Sequence, residues 1–146
     1  MKSIFEKETR EELLKRIELV DEKRVALWGK MTVSQMIKHC NQWDEMALGK
    51  VKYKQSLLGK LFGKMALKGM LKDAEIKKNL PTVPSFAIKD QPDFATEKRK
   101  WLNLVAEYEN LKSDGIMHPF FGALNKERTG IFAYKHANHH LLQFGC

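Results

Sequence analysis

The sequence predicts an all-α fold, in which four long amphipathic helices pack as a bundle and a basic helical segment is inserted among them. Three observations carry this expectation. Apolar residues recur at helical spacing in four stretches, capping signals stand where most of those stretches begin, and no run reads as a convincing strand. At 146 residues and 43% apolar composition the chain suits one compact domain over 1–146.

The first helix is expected to begin at Thr9, whose hydroxyl can cap free amides while Glu12 reaches back; Leu13, Leu14, Ile17 and Val20 then line one face. After a break at Trp28-Gly29, Thr32 and Gln35 repeat the capping-box pattern. Val33, Met36, Ile37, Cys40, Trp43 and Ala47 form the buried stripe of a second helix, which Gly49 stops. Ser56 to Leu71 reads as a helix studded with Gly59, Gly63 and Gly69, and Asn79 to Ser85 is an extended link with Pro81 and Pro84. From about Asp93 to Leu111, Phe94, Trp101, Leu102, Val105, Tyr108 and Leu111 give a long helix that ends near Gly115. His118-Pro119-Phe120-Phe121-Gly122 is a turn rich in apolar anchors. Asn125 can cap a last helix to about Leu142, with Gly145 as its exit.

No stretch approaches the roughly 18–20 apolar residues that cross a bilayer, and the start has no signal-peptide run, so a cytoplasmic location is expected. Two cysteines, Cys40 and Cys146, are too few for a disulfide framework. The net charge of +8 is concentrated in residues 50 to 78, where nine lysines stand against Asp73 and Glu75. That segment has no arginine to read base edges, so nucleic-acid binding is not expected.

Three of the five histidines crowd into His136, His139 and His140. Residues four apart share a helix face, so His136 and His140 can converge on one ion at bonds of about 2.1 Å, while His139 points elsewhere. His39, between Met36 and Trp43 on the buried side of the second helix, is the candidate third ligand. Three neutral imidazoles without a carboxylate leave a position on Zn²⁺ or Ni²⁺ open for water or a thiolate. The same pair, taken alone, also suits core histidines bonded to backbone. His118, His139 and Gln143 are secondary catalytic candidates: His118 as a proton donor at the mouth of the site or as a ligand of a backbone carbonyl in its turn, Gln143 as the group that orients His139 or a substrate carbonyl. Cys40 projects away from His39 and reads as core. Trp43, Trp101, Phe120 and Phe121 are candidates to line an apolar pocket.

Trp28 to Cys40 and His136-Ala137-Asn138-His139-His140-Leu141-Leu142-Gln143 resemble the corresponding segments of the DinB/YfiT-like superfamily. His118-Pro119-Phe120-Phe121-Gly122 and the ending Gln143-Phe144-Gly145 are similar to a bacterial branch of it with no established reaction. The resemblance implies an up-down-down-up four-helix bundle, often dimeric, whose three histidines bind Zn²⁺ or Ni²⁺. It also implies transfer or isomerisation chemistry that uses a low-molecular-weight thiol. The chain departs from many relatives at Leu141 and Leu142, where they carry Arg and Gly, and its metal triad is intact.

The expected function is therefore that of a divalent-metal protein, a thiol transferase or hydrolase acting on a small molecule. The alternative is a non-catalytic binding or stress-associated protein that acts through its basic 50–78 segment. Within it, Lys60, Lys64 and Lys68 repeat opposite Leu57, Leu58, Leu61, Phe62 and Met65. This pattern suits a helix on an anionic membrane or an acidic partner, and, as the expectation preferred here, a solvated lysine face over a core-packed stripe.

Overall fold

In a computed structural model, which describes residues 1–72, 74–112 and 114–146, five α-helices and one β-hairpin follow one another. Asp73, one of the two acids of the basic segment, lies outside the described residues.

Helix α1 (Lys7–Glu18) buries Leu13 and Ile17 completely, with Glu8 in its first turn and Lys15 and Arg16 in its last, signs that suit the helix dipole. It starts earlier than expected. Glu6 holds the N-cap position, and the Thr9 hydroxyl donates to the Glu6 carboxylate at 2.9 Å instead of capping the helix itself. Helix α2 (Val33–Ala47) opens with a complete capping box between Thr32 and Gln35. Ser56 caps α3 (Leu57–Met70) by accepting from the Gly59 amide. A 3-10 turn, Pro84–Phe86, then interrupts the long link to α4 (Phe94–Glu107), which Asp93 caps through the Thr96 amide at 2.8 Å. A second 3-10 turn, Tyr108–Asn110, ends that helix short of the expected Leu111. Strands β1 (Gly115–His118) and β2 (Gly122–Asn125) pair antiparallel, with Gly115 opposite Asn125 and His118 opposite Gly122. Asn125 caps α5 (Lys126–Gln143) by accepting from the Arg128 amide.

The expectation of an all-α fold, a four-helix bundle in up-down-down-up order with an inserted basic helical segment, is overturned by the two-stranded sheet; the inserted segment is present as the helix α3, so the chain is a five-helix, mostly helical fold and no clean all-α four-helix bundle. The hairpin has a physical reason that the helical reading missed. Pro119, Phe120 and Phe121 form a three-residue loop, and Gly122 closes it at φ +83°, the left-handed position such loops require. Leu124 points into the core while its neighbours Ala123 and Asn125 face outward, the alternation of a strand too short to register as periodic.

Helices α2 and α4 lie side by side, α1 packs on α4 and α5, and α5 returns to α2. Ile4, Leu13, Ile17, Met36, Ile37, Trp101, Val105 and Leu141 fill the space they enclose. A buried carboxylate, Asp44, is set into the α2–α4 contact, where Trp101 Nε1 donates to it at 3.0 Å and the Tyr108 hydroxyl at 2.7 Å.

Helix α3 reverses the preferred reading of its two faces. Its inner side is the buried row Gly59, Gly63 and Leu67, of which the two glycines press against the hairpin loop so closely that a Cβ on Gly63 would lie 2.1 Å from the Phe120 carbonyl oxygen. Leu57, Leu58, Leu61, Phe62 and Met65, expected in the core, are between 49% and 78% exposed. Among the described residues no helix is long and apolar enough to cross a membrane.

Candidate metal centre

The capping box fixes the start of α2 and with it the rotation of the helix, so His39 shares the buried side with Met36, Cys40 and Trp43. On α5 the spacing of four places Phe132, His136 and His140 in one row, and that row faces His39. The His39 and His136 Nε2 atoms lie 3.0 Å apart. One ligand atom from each of the three histidines falls within 4.8 Å of the other two. Tetrahedral zinc with imidazole bonds near 2.0–2.1 Å holds its nitrogens about 3.3 Å apart, so side-chain adjustment of about an ångström brings the three to ligand spacing.

Hydrogen bonds set the tautomers. His39 Nδ1 lies 3.1 Å from the Phe86 carbonyl oxygen, an acceptor only, so Nδ1 carries the proton and Nε2 presents a lone pair. The Gln143 amide nitrogen donates to the Trp28 carbonyl at 2.7 Å, which turns its Oε1 toward His140 Nδ1, 2.8 Å away. His140 therefore also donates from Nδ1 and keeps its Nε2 lone pair for the cluster. Such outer partners, which orient the ring and raise its basicity, typically accompany ligating histidines.

Burial keeps all three rings neutral. It lowers the His39 pKa, depresses that of His136 well below the ordinary value with further help from the neighbouring His140 and His39, and pushes His140 down to about 3. Neutral imidazole is the ligating form. The donor set fits a borderline divalent ion such as zinc or nickel: three nitrogens and, among the described residues, no carboxylate in the cluster.

The cluster opens on a cavity of about 560 Å³. Trp43, Phe86, Phe121 and Phe132 form much of its apolar lining, the link from Ile76 to Val83 supplies another wall, and Lys30 brings a cation. No Asp or Glu lines it among the described residues. Of the four aromatic residues expected at a pocket, Trp43 and Phe121 are there. Trp101 instead binds Asp44 in the core.

His118 reaches the cavity wall, stacked on Phe121 with ring centroids 4.5 Å apart, and it is fully enclosed. Its Nδ1 accepts from the Phe120 and Phe121 amides, both at 3.0 Å, so the ring proton is on Nε2. Neither expected role holds as stated. The partners in the turn are amides, not a carbonyl, and burial drives the pKa down to about 3, so the ring is a neutral hydrogen-bond donor and no imidazolium acid. His139 lines the same cavity without joining the three-ligand cluster; its ring lies edge-on to His140 at 5.1 Å and to Trp28 at 5.7 Å. Gln143 orients His140, where His139 or a substrate carbonyl was expected. Cys40 is core: its sulfur lies 3.8 Å from that of Met36, and burial raises its pKa well above the usual thiol value.

Sequence reasoning missed the supports of the site, the Phe86 and Trp28 carbonyls, which carry no side-chain signal. It also missed Asp44, whose signal was a lone carboxylate four residues after Cys40 on the apolar stripe.

No curated protein and no solved structure matches the chain. A family model described as a protein of unknown function (DUF1569) matches residues 5–145, and the chain belongs to that family.

Proposed function

We propose that His39, His136 and His140 hold one divalent ion, zinc or nickel, and that the protein is a metal-dependent transferase or hydrolase that uses a low-molecular-weight thiol on a small, largely apolar molecule. The observation that carries this reading is the convergence of three neutral imidazoles, two with their tautomers set by outer partners, at the floor of an apolar cavity. The likeness of Trp28 to Cys40 and of His136 to Gln143 to DinB/YfiT-like segments supports it.

When bound, such an ion supplies Lewis acidity, which favours the thiolate form of a thiol, or the hydroxide form of water, at neutral pH. The chain's own residues do the rest. His39 and His140 keep their lone pairs aimed inward through Phe86 and Gln143. With no carboxylate in the cluster among the described residues, three neutral ligands would leave the charge of a divalent ion uncompensated, which would favour an anionic exogenous ligand over a neutral one. Trp43, Phe121 and Phe132 exclude water and hold an apolar substrate body. His118 offers its Nε2 proton from a fixed position, suited to an oxygen that gains negative charge.

Cobalt substitution tests the reading. With Co²⁺ in the site, a small thiol added to the protein is expected to produce a sulfur-to-cobalt charge-transfer band, absent when His136 and His140 are both alanine. A cobalt spectrum that no thiol changes defeats the thiol assignment.

A further inference from the structure

We infer that the exposed face of α3 docks the protein on an anionic lipid surface. The helix has three sides, because successive residues turn by about 100°. Gly59 and Gly63 face the hairpin loop, and Leu67 continues the same buried row. Leu57, Leu61, Met65, Leu58 and Phe62 then occupy roughly 140° of arc at that rotation; Lys60 and Lys64 lie beyond one edge of it and Lys68, near the far end of the helix, just inside that edge, all exposed. The five apolar residues are 78%, 74%, 73%, 63% and 49% exposed in that order, and none of them lines the cavity.

The inner glycines are what turn the large side chains outward. Any Cβ at Gly59 or Gly63 would meet the Phe120 carbonyl at 2.5 Å or less, so α3 can approach the loop only by its smallest side, and the apolar side is left over. A contiguous apolar face of this kind on a soluble surface marks an interaction site.

Charge decides the occupant. Lys52, Lys54 and Lys72 flank the helix in the chain and are exposed, while Lys50 is paired with Glu107 and Lys78 lies over the Trp28 ring; the only acids between residues 50 and 78 are Asp73 and Glu75. A second copy would set two strongly basic segments against each other. A row of apolar side chains from Leu57 to Met65, about 12 Å long at 1.5 Å per residue, with lysines beside it, matches helices that lie in the headgroup layer, apolar side down, with their lysines reaching the anionic heads. Helix α3 also rests on the loop that carries Phe121, so docking would hold the cavity next to the lipid.

Sedimentation of the full chain with vesicles of phosphatidylcholine alone, or mixed with phosphatidylglycerol, tests the proposal. Binding is expected to the mixed vesicles only and to weaken as salt rises. Replacing Lys60, Lys64 and Lys68 by Gln should weaken it about a hundredfold, at roughly fivefold for each lysine. The variant Leu57→Ser, Leu61→Ser, Met65→Ser should lose binding while remaining folded by circular dichroism, since these side chains are exposed and the change costs only the lower helix propensity of serine. In a separate Phe62→Trp variant, the indole emission should shift to the blue on mixed vesicles. No binding to mixed vesicles overturns the proposal, as does unchanged binding by the serine variant. So does self-association of the wild type that the serine variant abolishes, which would assign the face to a second copy.

Discussion

Asp44 makes stability depend on pH in a direction opposite to that of most carboxylates, and Asp44→Asn isolates the effect. Burial raises its pKa from the ordinary 3.8 to about 7, although the Tyr108 hydroxyl and Trp101 indole both favour the charged form. The unfolded chain releases this proton near 3.8 and the folded chain near 7. The stabilisation from the neutral carboxyl is therefore complete below about pH 3.8 and is lost as pH rises through 7. At 1.36 kcal/mol per pH unit, the loss is about 2 kcal/mol by pH 5 and about 4 kcal/mol by pH 8. Asparagine imitates the protonated acid: its oxygen accepts from Trp101, and its amide can donate to the Tyr108 hydroxyl, which accepts as readily as it donates. Urea unfolding of both proteins at pH 5 and pH 8 should show the variant gaining roughly 2–3 kcal/mol on the wild type between the two. The histidines titrate alike in both proteins and cancel in the difference. A difference that stays constant to within about 0.5 kcal/mol would refute an Asp44 held neutral by burial.

The outer partners and the glycine contact give further predictions. Gln143→Leu removes the acceptor that holds His140 and should weaken metal binding 10–100-fold in competition with a chromophoric chelator; unchanged affinity would mean the amide does not orient the ring. Because His39, His136 and His140 are already neutral, metal affinity should stay nearly flat from pH 8 to pH 6. A fall of two to three decades per pH unit would instead show imidazoles that must shed protons first. Gly63→Ala should cost about 1–3 kcal/mol in thermal unfolding, since its Cβ meets the Phe120 carbonyl at 2.1 Å. Gly69→Ala, with nothing within 4 Å, should stabilise the helix by up to about 1 kcal/mol. Equal effects at the two glycines would contradict the packing described for α3.

The helices were legible where a cap and an apolar stripe coincide. Thr32 with Gln35, Ser56, Asp93 and Asn125 all cap the helices they precede, and the stripe of α2 placed His39 on the buried side. Thr9 misled because a capping-box pattern inside a helix looks like one at its start; only the fold shows that Glu6 stands outside the first turn. The hairpin was hidden because four residues per strand give too little alternation to outweigh neighbouring helical patterns. The burial of α3 was misread because periodicity reports that two faces differ, not which of them packs; the glycines, with no side chain to bury, proved to be the contact. The three histidines came together as their spacing and order suggested, since i and i+4 fix two of them on one face. The role of Gln143 could not be read because it depends on the Trp28 carbonyl, far away in the chain, and that of His118 because its local bonds to the Phe120 and Phe121 amides exist only once the unrecognised hairpin loop has formed.

Whether three histidines hold a resident divalent ion is decided by elemental analysis of untagged protein, native and with His136 and His140 replaced by alanine. About one equivalent of zinc or nickel per chain, as one three-ligand site requires, and its loss in the variant are expected. A wild-type protein that takes up no metal after incubation with Zn²⁺ and Ni²⁺, or a variant that retains the full equivalent, would contradict a site held by these histidines.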